Sequence, residues 1–115
     1  MTSIQLFISA EGRFVGFKAQ GHTGYARHGE DIVCAGVSTL IQTTALGLEK
    51  IVRAALNIKA QKETGYFLCE VTGDNSQAQL ERADLLLRNM YLGLIEMSKA
   101  NDYHKYLHVS IKEVE

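Results

Sequence analysis

The chain has 115 residues, of which 46% are hydrophobic and 22% charged, so it is long enough to bury one core and lacks the charge-biased composition of disordered proteins. The 12 Lys and Arg against 13 Asp and Glu give a net charge of −1, which excludes the strongly basic field that non-specific nucleic-acid binding requires. One globular domain over residues 1–115, without direct nucleic-acid binding, is therefore expected.

The N-terminal residues and the two cysteines indicate in which cellular compartment the protein is expected to lie. The first residues carry no positive segment followed by a long apolar stretch, so no secretion signal is predicted. No segment has about 18 or more continuous apolar residues, and no membrane partner is expected. Cys34 and Cys69, without an export signal, are expected to be free thiols in a reducing bacterial or organellar interior.

The first elements predicted along the chain are two strands of a β-hairpin. Apolar residues alternate with polar ones on both sides of a turn signal at Glu11 and Gly12. They are Ile4, Leu6, Ile8 and Ala10, followed by Val15, Phe17 and Ala19. The next stretch, residues 21–29, fits neither a strand nor a helix period and is predicted to be an ordered but mobile loop.

A helix is predicted from about Asp31 to Asn57, because apolar residues recur there every three or four positions and Asp31 is a suitable N-cap. A second hairpin follows over residues 58–62 and 66–72. Ser76 and Gln79 have the spacing of a capping box and predict a second helix that ends at about Ala100. Alternation at residues 107–111 predicts a last strand.

The predicted order is ββαββαβ. Two helices with one apolar stripe each, together with five short alternating strands, fit an α+β fold in which both helices pack against one five-stranded sheet. We expect the functional residues where the glycine-rich loop meets the first helix.

Cys34 is the candidate nucleophile. If Asp31 is the N-cap, Cys34 lies in the first helical turn, where free backbone N–H groups and the positive end of the helix dipole favour a thiolate. His22 and His28 are the candidate proton acceptors. The oxyanion formed on attack would be met by the Cys34 N–H and by a second donor from the loop.

Each of these residues also has a structural interpretation. A single cysteine on a helix is most often a small buried hydrophobe, and Cys69, beside Phe67 and Val71 on the inward face of a strand, is interpreted as one. Asp31 is read first as the helix cap and second as a residue that orients the catalytic pair. For Ser38 a hydrogen bond back to the helix is favoured over a position that lines the site.

The run GHTGYARHGEDIVCAGVS at residues 21–38 strongly resembles the signature of the ribosomal-processing cysteine protease family, Prp, and the element order and length agree with that family. The resemblance implies that His22 is the catalytic histidine and Cys34 the nucleophile, with Gly21, Gly24 and Gly29 in a flexible loop that covers the site.

It further implies a bacterial cytoplasmic homodimer that removes a short N-terminal extension, recognised through a sequence rich in phenylalanine, from a large-subunit ribosomal protein. No cofactor is expected.

The sequence leaves three alternative functions open. The loop and helix start of a non-catalytic, ribosome-associated binding module would hold an anion. His22, His28 and Cys34 would give a metal at most three ligands, without the close-spaced pair typical of structural zinc sites. A redox role is weaker, because Cys34 has no resolving cysteine two residues away.

Overall fold

Five strands and two helices follow one another in the predicted order, ββαββαβ. The computed structural model describes residues 2–21 and 28–114, without the side chains of residues 28–30. The elements are β1 (Thr2–Ile8), β2 (Phe14–Gln20), α1 (His28–Lys50), β3 (Leu56–Gln61), β4 (Tyr66–Val71), α2 (Gln77–Lys99) and β5 (Leu107–Glu113).

The strands form one mixed sheet in the order β3-β4-β2-β1-β5. Neighbouring strands are antiparallel except β1 and β5, which run parallel with Thr2 opposite Leu107. Residues of both helices and four strands share one core cluster, so the helices cover the same face of the sheet. This confirms the predicted α+β fold.

The core is built by the alternating strand positions and the two helix stripes. Its fully buried large side chains are Ile4, Leu6, Phe17, Val33, Leu48, Cys69, Leu87, Met90 and Leu94. Burying each such side chain contributes roughly 1.5–3 kcal/mol, which is why these periodicities decide the fold. Small residues allow the helices to approach, since Gly36 faces the side chain of Met97 and Gly93 that of Leu40.

The first hairpin contains a β-bulge that the sequence pattern did not predict. Phe7 pairs with Gly16 and Ile8 with Phe14, so Val15 is an extra residue in β2. A bulge reverses the phase of the alternation, and Phe14 is buried in the core while Val15 is only partly buried. The prediction that Val15 shares the core face of Phe17 was therefore wrong.

The predicted bounds of the first helix were also wrong at both ends. The helix begins at His28 rather than at Asp31, because Gly29 costs a helix only about 1 kcal/mol and does not stop it. It ends at Lys50 rather than at Asn57. Arg53 has a positive φ of 58°, and the N–H of Ala54 bonds to the Leu48 carbonyl, which redirects the chain toward β3.

The second helix begins as the sequence predicts. The Ser76 hydroxyl accepts a hydrogen bond from the N–H of Gln79 at 3.1 Å, and the Ser76 N–H donates to the Gln79 side chain at 2.8 Å. These reciprocal bonds form the predicted capping box and fix where the chain leaves the second hairpin.

One stretch of the described chain, Asp31–Lys50 in α1, is long and apolar enough to cross a membrane by length and composition alone. Its apolar stripe instead packs against the sheet and α2, with Val33, Val37 and Leu48 buried. A helix in the core of a folded domain passes the same test, so this composition reflects packing.

Candidate active site

Cys34 lies in the second turn of α1 and is partly buried. Because the helix begins at His28, Asp31 is inside the helix rather than its N-cap, and the predicted position of Cys34 in the first turn was wrong. The favourable field of a helix terminus fades beyond the first turn, so it supports a thiolate here less than expected.

The backbone N–H of Cys34 is not available for an oxyanion. In a regular α-helix the N–H of this residue bonds to the carbonyl of Glu30, which lies inside α1. Only the first four N–H groups of a helix lack such a partner. The sequence-based assignment of this N–H to an oxyanion hole is therefore wrong.

A groove of about 660 Å³ begins at Cys34 and follows one face of α1. The helix residues that line it recur every three or four positions and are Cys34, Val37, Ser38, Ile41, Gln42, Ala45, Leu46 and Glu49. Four helical turns at 1.5 Å per residue make this wall about 22 Å long. An extended chain rises about 3.3 Å per residue, so the wall matches about seven residues of peptide.

The sheet forms the opposite wall of the groove. Ile58 and Ala60 of the edge strand β3 line it together with Ala19 of β2 and Phe67 of β4. The ring of Phe67 stacks on the buried ring of Phe17, with centroids 5.7 Å apart and planes inclined by 8°. The groove is thus mainly apolar and has a supported aromatic side chain in its wall.

Three polar residues line the Cys34 end of the groove, namely Thr2, Ser38 and Gln42. The Thr2 hydroxyl lies 3.3 Å from the Cys34 sulfur. Ser38, one turn after Cys34, lines the groove and accepts a hydrogen bond of 2.7 Å from the Gln42 side chain. The bonds back to helix carbonyls come instead from Thr39 and Thr44.

Thr2 was missed by sequence reasoning. It precedes Cys34 by 32 positions, and no motif connects the two residues. They meet because β1 lies in the sheet beneath the start of α1, a juxtaposition that follows only from the three-dimensional fold.

The other predicted site residues lie partly outside the described residues. His22, Gly24 and the side chain of His28 belong to the part that is not described. Gly21 follows β2 with a φ of 94° and lines the groove. Gly29 is helical, so its assignment to the covering loop was wrong. Asp31 is exposed on α1, three positions before Cys34.

Cys69 is separate from the groove and fully buried. Burial raises the pKa of its thiol to about 11, with a smaller contribution from the neighbouring Glu70 carboxylate. This thiol therefore stays protonated near neutral pH and is a poor nucleophile, as its place on the inward face of a strand predicted. Residues 2–21 and 31–114 contain no group of three or more His, Cys, Asp and Glu side chains suited to a metal ion.

Comparisons with known proteins agree with this geometry. The family model described as "Cysteine protease Prp" matches residues 1–108. The "Ribosomal processing cysteine protease Prp" of Bacillus subtilis (strain 168) is 27% identical over 94 residues, covering 82% of each chain.

Two solved structures share the fold. The Prp protease from S. aureus, in complex with a substrate peptide, superposes with a TM-score of 0.84 at 20% identity, over 97% of this chain and 100% of that one. SMU.848 from Streptococcus mutans superposes with a TM-score of 0.84 at 22% identity, over 99% of this chain and 96% of that one.

The family model covers most of the described fold, from β1 to the first two residues of β5. Its members are cysteine proteases, so the non-catalytic binding module is set aside. A groove that is long enough for a peptide and begins at a cysteine is the site that such an enzyme needs. The chain belongs to the cysteine protease Prp family.

Proposed function

We propose that this protease removes a short N-terminal extension from a large-subunit ribosomal protein, with Cys34 as the nucleophile and His22 as the general base. The observation that carries the proposal is the apolar groove of about 22 Å that begins at Cys34. The B. subtilis relative is a ribosomal processing protease by name, and the S. aureus protein binds a substrate peptide, which together support a peptide substrate of ribosomal origin.

The proposed reaction has two steps. His22 takes the proton of the Cys34 thiol, the thiolate attacks the scissile carbonyl carbon, and collapse of the tetrahedral oxyanion breaks the C–N bond as His22 protonates the leaving amine. Water then hydrolyses the thioester and the thiol is restored. Another structure of the S. aureus protein holds a covalently linked product peptide, which supports a covalent intermediate.

Two further points of the proposal rest on the family resemblance. The enzyme acts in the bacterial cytoplasm, where ribosomal proteins are made and where Cys34 and Cys69 stay reduced. It acts as a homodimer.

The substrate is tested by mass spectrometry. We expect the purified enzyme to cut the extended ribosomal protein once, at one bond near its N-terminus, because the groove selects a segment of about seven residues. The matched control is the same ribosomal protein without its extension, which should remain intact. Cleavage of both proteins at several sites would contradict a processing role, and no cleavage of the extended protein would contradict the proposed substrate.

Substrate binding in the groove is tested by a substitution that fills part of the groove with a large side chain. Ala60 lines the groove from the edge strand β3 and is exposed, so Ala60→Trp should fit the strand and occupy the space of a substrate side chain. The loss of one buried apolar side chain from the complex is expected to lower kcat/KM by about tenfold or more, mainly through a higher KM.

Lys59→Trp is the control for this substitution. Lys59 is also exposed on β3, but it is adjacent to Ala60 and points to the opposite side of the strand, away from the groove. We expect its kcat/KM to stay within about threefold of the wild-type value. Equal effects of the two tryptophans in steady-state peptide assays would argue against substrate binding in this groove.

A further inference from the structure

The hydroxyl of Thr2 and the sulfur of Cys34 are direct neighbours. Thr2 Oγ1 lies 3.3 Å from Cys34 Sγ, a hydrogen-bond distance for sulfur. Thr2 is only 5% exposed, and both residues line the end of the groove. The contact is therefore partly buried and lies at the atom that would attack the substrate.

The backbone holds this hydroxyl in place. Thr2 is the first residue of β1, its N–H donates to the Tyr106 carbonyl at 2.7 Å, and it pairs with Leu107 of β5. Threonine is branched at Cβ, which restricts its first side-chain torsion. The donor is thus oriented before any substrate binds, and little conformational entropy is lost when it acts.

The direction of the hydrogen bond depends on the state of the sulfur. A thiol and a hydroxyl can each donate to the other, but a thiolate only accepts. Once the proton has left Cys34, the Thr2 O–H must donate to the sulfur, and hydrogen bonds to ionised groups are about twice as strong as neutral ones. The Thr2 hydroxyl is therefore placed to donate to the sulfur once Cys34 has lost its proton.

We propose that Thr2 is a positioning residue that donates a hydrogen bond to the Cys34 thiolate, stabilises it, and fixes the sulfur at the end of the groove. The inference rests on the proposed function, in which Cys34 is the nucleophile. The Thr2 hydroxyl supplies a fixed donor to a cysteine that lies beyond the first helical turn, where the helix terminus does little to stabilise a negative charge.

Two substitutions separate this role from simple packing. Thr2→Val keeps the shape and the β-branch but removes the hydroxyl, whereas Thr2→Ser keeps the hydroxyl and removes the methyl group. If Thr2 acts as a hydrogen-bond donor, Thr2→Val should lower the reactivity of Cys34 and the rate of cleavage, and Thr2→Ser should not. A packing role predicts the reverse.

The measurement is the rate at which iodoacetamide alkylates Cys34 near neutral pH in the absence of substrate. Cys69 is fully buried and its pKa is raised to about 11, so it should not react, and peptide mapping identifies the modified cysteine. A hydrogen bond to an ionised group is worth about tenfold or more in the thiolate population, but a less stabilised thiolate is also more nucleophilic. We expect alkylation to be about three- to tenfold slower in Thr2→Val and within about twofold of wild type in Thr2→Ser.

Peptide cleavage gives the second measurement. Thr2→Val should lower kcat by about tenfold and leave KM within about twofold, because the hydroxyl acts on the nucleophile rather than on substrate binding. Melting temperatures of both variants report packing independently. Wild-type alkylation and cleavage in Thr2→Val would overturn the inference, as would wild-type alkylation with slow cleavage, which would place the hydroxyl in a later step.

Cys34→Ala distinguishes failure of this inference from failure of the proposed function. If Cys34→Ala is inactive while Thr2→Val matches wild type, only the role of Thr2 is wrong. If Cys34→Ala still cleaves the peptide, the nucleophile itself is wrong and so is the inference built on it.

Discussion

Replacing Cys34 by alanine is expected to lower the rate of peptide cleavage at least about 1,000-fold, because the covalent step loses its nucleophile and nothing in a methyl group replaces it. Cys34→Ser should be almost as inactive, since a hydroxyl is far less ionised than a thiol near neutral pH. His22→Ala should lose a similar factor, because residues that act as one catalytic unit do not contribute additively.

Single-turnover cleavage followed by mass spectrometry checks this expectation. Cys69→Ala is the matched control, because this second thiol is buried and protonated and does not line the groove. It should cleave at a rate close to wild type once circular dichroism has shown that it is folded. A Cys34→Ala enzyme that retains a tenth of the wild-type rate would exclude Cys34 as the nucleophile.

Gly16→Ala is expected to destabilise the fold by about 3 kcal/mol, an unusually large effect for one added methyl group. Gly16 lies in β2 at the bulge, with a φ of 156°. A Cβ atom there would lie 2.5 Å from the backbone oxygen of Cys69 and 3.1 Å from the Cα of Glu70. Both atoms belong to the paired strand β4 and cannot move aside without breaking the strand pairing.

Urea unfolding of Gly16→Ala against Gly73→Ala measures this difference. Gly73 has no atom within 4 Å of the added Cβ, so its alanine variant should stay within about 0.5 kcal/mol of wild type. Similar unfolding midpoints for the two variants would show that β2 and β4 adjust to the extra atom. The strand contact at Gly16 would then not limit stability.

Much of this fold could be predicted because apolar residues recur at the regular spacing of strands and helices. Alternation at period two in the strands and the three-and-four period of the helices gave the order ββαββαβ, and the capping box gave the start of α2. These signals are local, since each element presents its own apolar face to the core. The fold class follows from counting such faces.

The errors lie where tertiary contacts override a local pattern. The bulge at Val15 depends on how β1 and β2 pair, and α1 extends back through Gly29 because a helix tolerates one glycine when its stripe is well packed. The sequence singled out Cys34 as the candidate nucleophile and Cys69 as a core residue, and the structure places Cys34 at the groove and Cys69 in the core. Thr2 could not be derived from the sequence, because its partner is set by the fold alone.

The parallel pairing of β1 with β5 has a consequence for folding kinetics. Thr2 pairs with Leu107, so β1 meets its parallel neighbour β5 only after a loop of nearly the whole described chain has closed. Contacts of such high sequence separation slow folding. During synthesis β1 can form its hairpin with β2 early, but the N–H of Thr2 has no Tyr106 carbonyl to bind until the end of the fold has emerged. The Cys34 end of the groove is therefore completed late, which delays proteolytic competence until the domain is whole.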